Sequence, residues 1–262
     1  MVTVGVFEFC GMRCQPLRRA LGLLTFKFGV SMKIDKVEYP EEVKAFIFSL
    51  TDEIKSRIED PEFDLSGISI ESKEEFFLFT VFTWVKNTNE ILTGLDIVIH
   101  DIESLPSNYH SLLYGSIVSR FELLVRMFFH EFYRLRELNA TILGALVRQD
   151  VIDKATSSQI KQTFHDTFEQ AIKIRNKMVH DKIEWESKDH QVLTMYDLMT
   201  NVGFEMRHLD SGNPLDVGVV LGKRVNEFLP LMLASTDAAR DFVGTFSRTI
   251  CSVHKEFFEL QK

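Results

Sequence analysis

The chain has little cysteine, proline, glycine or tryptophan: three, six, thirteen and two residues among 262. Three cysteines (Cys10, Cys14 and Cys251) do not make the disulfide framework of a secreted domain. They fit free thiols in a reducing cytoplasm. Cys10 and Cys14 form a CxxxC pair with no second Cys or His pair nearby, so the usual zinc spacing is missing and no metal is expected. Scarce glycine and proline disfavour a turn-dense β-sandwich and suit long helices. No internal repeat or low-complexity tract is present. Long apolar runs are missing too. The most apolar segment, residues 76–105, is broken by Lys86, Asn87, Asn89 and Glu90, which argues against a membrane span. Positive charge is the minority: 30 Lys and Arg face 38 Asp and Glu, a net charge of -8. That balance argues against a protein that coats duplex DNA through its phosphates.

What is present is an ordinary globular composition, 45% hydrophobic and 26% charged, with 23 phenylalanines to fill a core. The acidity is concentrated. Residues 35–75 carry 13 acids and 5 bases, so that stretch alone accounts for -8 and the remainder is neutral. Residues 1–31 differ again, with Arg13, Arg18, Arg19 and Lys27 against Glu8. They lack the unbroken apolar stretch and small-residue cleavage site of a signal peptide. Met32 opens a more typical soluble sequence and is an alternative translation start. The expected organisation is a leader over 1–31, an acidic helical region over 32–105, and a helical bundle over 106–262.

Apolar spacing predicts that bundle. Beyond Pro40, Val43, Phe46, Ile47, Leu50, Ile54 and Ile58 recur every three or four residues, until Asp60-Pro61. Ser72 and Glu75 form a capping box before a second helix, with a break expected at residues 87–89 and an end near Leu105. Pro106 marks the domain boundary, and Ser107 is the expected cap of a long helix carrying Phe121, Leu124, Val125, Phe128, Phe132 and Leu135. A shorter segment over 140–151 follows, then a helix from about Ala155 through Phe164, Phe168, Ala171 and Val179. Residues 185–221 are ambiguous, with room for short strands. A last helix spans roughly 223–260, with Pro230 as its kink or true start. The fold class expected is all-α.

The segment that carries chemistry is Arg175-Asn176-Lys177-Met178-Val179-His180. At about 100° per residue Asn176 and His180 share a helix face, and the long Arg175 side chain can turn towards it. Lys173, Lys177 and Lys182 surround them. From Lys161 to Lys182 five bases face three acids, a field that suits a small anion.

This string resembles the signature of the HEPN superfamily: arginine, a polar residue that is often asparagine, a short spacer, and histidine near the end of a bundle helix. The upstream stretch SIVSRFELLVRMFFHEFYRL, with Phe121-Glu122 in a wide apolar stripe, resembles the family's first helix. The resemblance spans about residues 107–262. An Arg-Asn-xxx-His string is expected by chance in roughly one chain in a hundred of this length. The looser Arg-to-His spacing is also met by Arg248 and His254.

The resemblance implies a cytoplasmic, metal-independent endoribonuclease that works as a homodimer without a cofactor. His180 would be the general base or acid. The ribose 2′-hydroxyl would be the nucleophile, giving a 2′,3′-cyclic phosphate and a 5′-hydroxyl. Arg175 would stabilise charge on phosphorus, and Asn176 would orient the imidazole or bind a phosphate oxygen. Lys173, Lys177 and Lys182 would bind the substrate. Glu122 would either approach Arg175 from behind or pair with Arg126 along its own helix. The role implied is a toxin or defence effector, with an antitoxin or regulatory protein as partner. The alternative is a non-catalytic, homodimeric binding or scaffold module. Other motifs are incomplete. His130-Glu131 matches the start of HExxH, but Arg134 stands where the second histidine is needed, and His165 with Glu169 lacks a third ligand.

Overall fold

The computed structural model describes residues 37–58, 72–111, 115–180, 188–208 and 210–259. The expected leader over 1–31, Met32, Cys10, Cys14 and Asp60-Pro61 lie outside the described residues. Among those described, six α-helices build an all-α bundle: α1 (Glu41–Ile58), α2 (Lys73–Asn108), α3 (Ile117–Arg148), α4 (Lys154–His180), α5 (Lys188–Asn201) and α6 (Val217–His254).

Cross-contacts fix the directions. Trp84 meets Asn139 and Gly94 faces Glu131, so α2 and α3 run antiparallel. Phe132 packs on Phe168 across a five-residue connection, which sets α4 antiparallel to α3. Asp96 pairs with Arg240, and Phe77 stacks on His254, which sets α6 antiparallel to α2. Phenylalanine dominates the centre as its abundance predicts. Phe164, Phe168, Phe242, Phe246, Phe132 and Phe128 form a chain of ring contacts with centroids 4.5–6.2 Å apart. These offset and edge-on geometries suit the ring quadrupoles.

Several boundaries differ from the sequence expectation. Helix α2 opens at the expected capping box, where Ser72 Oγ accepts from Glu75 N and Glu75 accepts from Ser72 N. It does not break at residues 87–89. Asn89 turns outward and exchanges two hydrogen bonds with the Val37 backbone (2.8 and 3.1 Å), while Thr88 is buried. Pro106 and Ser107 lie in the last turn of α2, and the core is continuous from residues before Pro106 to residues after it. A proline there forfeits only one intrahelical bond, to the Ile102 carbonyl. The cap of α3 is Ser116, which accepts from Ser119 N, and α3 continues unbroken through residues 140–148. Residues 188–201 form helix α5. In the connection after it, a single antiparallel bridge between Arg207 and Pro214 stands where short strands were allowed for. Helix α6 begins at Asp216, whose carboxylate accepts from Val219 N, and it runs through Pro230.

Helix α4 is bent at Phe168 (φ -114°, ψ 17°). The cause is local. Thr163 and Thr167 each return their hydroxyl to the carbonyl four residues back, a bond that competes with the backbone ladder and bends helices. Phe168 is locked at the bend by Phe132 and Phe164. The bend sets the direction of the final turns, which carry Arg175 and Asn176.

Candidate functional site

Arg175 leaves α4 towards α3 and lies over the ring of Tyr133, its guanidinium carbon 3.8 Å from the ring centroid. A cation this close to an aromatic face is attracted by the ring quadrupole. The Nε of Arg175 is buried against the bundle with no hydrogen-bond partner. Nη1 instead donates to Asn176 Oδ1 at 3.2 Å. The two adjacent motif residues are therefore joined to each other, and Asn176 stays exposed.

Tyr133 is shared. Arg136, one turn further along α3, has its guanidinium carbon 5.6 Å from the same centroid. Neither Arg136 nor Arg175 forms an ion pair with a carboxylate among the described residues. Neighbouring carboxylates are used elsewhere: Glu131 by Arg134 (2.8 Å), Glu169 by Lys173 (2.7 Å) and Asp166 by Gln162 (2.7 Å). Helices α3 and α4 together carry ten Lys and Arg against five Asp and Glu, a surplus of +5 in a chain of net charge -8.

The remaining predicted residues separate into groups. His180 is the last residue of α4, but its side chain lies outside the described residues, as does all of Lys182. Lys177 is exposed beside Asn176, whereas Lys173 is exposed and paired with Glu169, whose carboxyl that bond holds below its usual range. Glu122 does not approach Arg175. Eleven residues separate it from Tyr133 on α3, about 16 Å at the helical rise and beyond an arginine's reach. It pairs with Arg126 at 3.0 Å, and its other oxygen is 3.3 Å from His190 Nε2. The second Arg-to-His spacing also falls apart. His254 is buried between Phe77 and Phe258, while Arg248 bonds Thr245 at the surface. His165 and Glu169 gain no third partner, and no cluster among the described residues can hold a metal ion.

Three groups escaped the sequence reading. Tyr133 and Arg136 carry no motif. Their i,i+3 spacing places them on one face, but only the packing angle of α4 brings Arg175 onto that face. The third is a buried polar cluster between α3, α5 and α6. Arg224, 3% exposed, lies 5.5 and 5.3 Å from the Phe121 and Phe228 ring centroids and pairs with Glu227. His190 is 5% exposed, and burial followed by the Arg224 charge pushes its pKa down to about 4. On the same side, Asp197 of α5 caps α3 by accepting from Ile117 N and Val118 N at 3.3 and 3.0 Å.

The chain matches no family model, no curated protein and no solved structure. No helix among the described residues is long and apolar enough to cross a membrane.

Proposed function

We propose that the chain is a metal-independent endoribonuclease of the HEPN type, working as a homodimer, with Arg175 and His180 acting on one phosphodiester. The observation that carries this reading is the guanidinium of Arg175, fixed on Tyr133 at 3.8 Å and tied to the exposed Asn176, one turn before the end of α4. An arginine that already gives up its rotamer freedom in the free protein has less entropy to lose when an anion arrives. The surplus of positive charge on α3 and α4 supports an anionic substrate.

In this mechanism His180 accepts the proton of the ribose 2′-hydroxyl as O2′ attacks phosphorus. Arg175 donates hydrogen bonds to the non-bridging oxygens as their charge grows. The P–O5′ bond breaks, and the 5′-oxygen takes a proton from an imidazolium, a role His180 of the second subunit can fill. The products are a 2′,3′-cyclic phosphate and a 5′-hydroxyl. A biological role as a toxin or defence effector in the cytoplasm, restrained by an antitoxin or regulatory protein, belongs to the same proposal and rests on the family resemblance.

A second reading, a non-catalytic homodimeric module, is favoured by α5. Met195 and Leu198 fall at i and i+3 on α5 and are 42% and 56% exposed, and Val202 and Phe204, just beyond its end, are 60% and 66% exposed. Such an apolar ridge suits burial against another surface. The test of both is purified protein on labelled RNA in EDTA, wild type beside His180→Ala and Arg175→Ala. Cleavage by the wild type that is lost in both variants supports the nuclease. A dimer that cleaves none of a panel of single-stranded and structured RNAs supports the module.

A further inference from the structure

We infer that Arg136 and Arg175, which share the Tyr133 ring, form a two-guanidinium clamp across successive phosphates of the RNA backbone, Arg175 on the phosphodiester that is cleaved and Arg136 on the one adjoining it. The inference deepens the nuclease proposal and rests on it for the identity of the ligand, but the geometry stands by itself. Both guanidinium carbons lie near one ring, at 3.8 and 5.6 Å from its centroid. They are therefore at most about 9.4 Å apart, the sum of those distances. That bound keeps both guanidiniums within reach of one short stretch of phosphate backbone, each through charge-assisted N–H···O contacts of about 2.8 Å.

Two like charges gathered around one tyrosine repel each other, and nothing among the described residues offsets them. Glu131, Asp166 and Glu169 are engaged with Arg134, Gln162 and Lys173. Glu137, the carboxylate next to Arg136 in the chain, is exposed and forms no ion pair with either arginine. Elsewhere in the bundle the buried or half-buried arginines are matched: Arg224 by Glu227 and Arg240 by Asp96. Arg175, half-buried with its Nε sealed in, departs from that pattern. In the proposed complex the phosphates of the bound strand offset the two guanidiniums. Exposed Lys177 and Asn176 border the same spot and extend it along a backbone. In this arrangement Arg136 binds substrate and takes no part in proton transfer.

The test uses the full-length chain in EDTA and a fluorescently labelled single-stranded oligoribonucleotide, with anisotropy read across a salt series. Binding is measured in a His180→Ala background so that cleavage does not intervene. The expected result is a loss of affinity of about tenfold in Arg136→Gln, with the slope of log K against log salt reduced by about 0.7, one phosphate contact on a single strand. Tyr133→Phe keeps both effects small because the ring remains, whereas Tyr133→Leu weakens binding as Arg136→Gln does. In the cleaving enzyme Arg136→Gln raises KM and leaves kcat within twofold. Competition by pyrophosphate, and by the DNA oligonucleotide of the same sequence, separates a bare phosphate site from one that reads ribose. Unchanged affinity and slope in Arg136→Gln, with an unchanged melting temperature, overturn the clamp even if the wild type cleaves RNA. Binding lost in Arg136→Gln by a wild type that cleaves nothing leaves the clamp standing and removes the nuclease. Failure of the wild type to bind overturns both.

Discussion

His190 Nε2 lies 3.3 Å from Glu122 Oε1, inside a cluster that joins α5 to α3 and α6. The carboxylate on one side favours a charged imidazole, but burial and the neighbouring Arg224 outweigh it and push the histidine down to about 4. Asp189, on the same helix as His190, acts on Arg224 in turn. The native state thus holds His190 neutral, while the unfolded chain protonates it near 6.5. Between those values the unfolded state binds the extra proton. This group's effect is nil above about pH 6.5, and it destabilises the fold progressively as pH falls towards 4. The limiting slope is about 1.4 kcal/mol per pH unit. Urea denaturation from pH 7.5 to 4.5 should show the wild type losing more stability than His190→Gln by up to that slope. Parallel curves would remove His190 as the cause.

Gly218 sits where α6 starts beside the end of α2. A Cβ there would stand 3.1 Å from the Pro106 carbonyl oxygen and 3.3 Å from Tyr109 Cε1 and Asp216 Oδ1. Backbone oxygen does not give way as a flexible side chain does, so Gly218→Ala should destabilise by about 1–3 kcal/mol. Gly244→Ala is the control, because its nearest neighbour is the end of Arg248 at 3.7 Å. In an open helix position alanine should stabilise by up to about 1 kcal/mol. Opposite shifts in melting temperature are the expected outcome.

Trp84 Nε1 donates to Asn139 Oδ1 at 2.9 Å, with both residues buried. Asn139→Leu leaves the indole N–H without its partner in the core and should cost about 1–3 kcal/mol. Trp84→Phe with Asn139→Leu removes donor and acceptor together. A double-mutant cycle should recover part of the loss as a coupling term.

The helices were legible because their signals are local. The capping box at Ser72 and Glu75 and the apolar periodicity of α3 specify structure through residues three and four apart. The misplaced boundaries have a common cause in tertiary choice. Ser107 and Ser116 have equal capping chemistry, and only Ser116 stands where the next helix turns back. Asn89 looks like a helix breaker until Val37 gives its amide two partners. The site divides in the same way. Arg175 and Asn176 are adjacent in the chain and visible as a motif. The contribution of Tyr133 and Arg136 depends on the bend at Phe168 and on the angle between two helices, which no spacing records. Glu122 has carboxylate chemistry that suits a partner for any arginine, and its true neighbours are settled by the docking of α5.

The proposed phosphate clamp and the proposed cleavage site make a shared prediction about substrate length. A substrate with no phosphate beyond the scissile one should be cut at least tenfold less efficiently than a longer oligonucleotide, through KM. Arg136→Gln should narrow that difference. Steady-state kinetics on an oligonucleotide series check it.

In the proposed reaction a 2′-hydroxyl, with His180 and Arg175, breaks the phosphodiester without metal. Mass spectrometry of the ends left on RNA incubated with the protein in EDTA tests it most directly. The expected termini are 2′,3′-cyclic phosphate and 5′-hydroxyl, absent with His180→Ala and absent when the scissile ribose is 2′-O-methylated. New ends bearing a 3′-hydroxyl and 5′-phosphate, or cleavage that survives the methylated ribose, would contradict it.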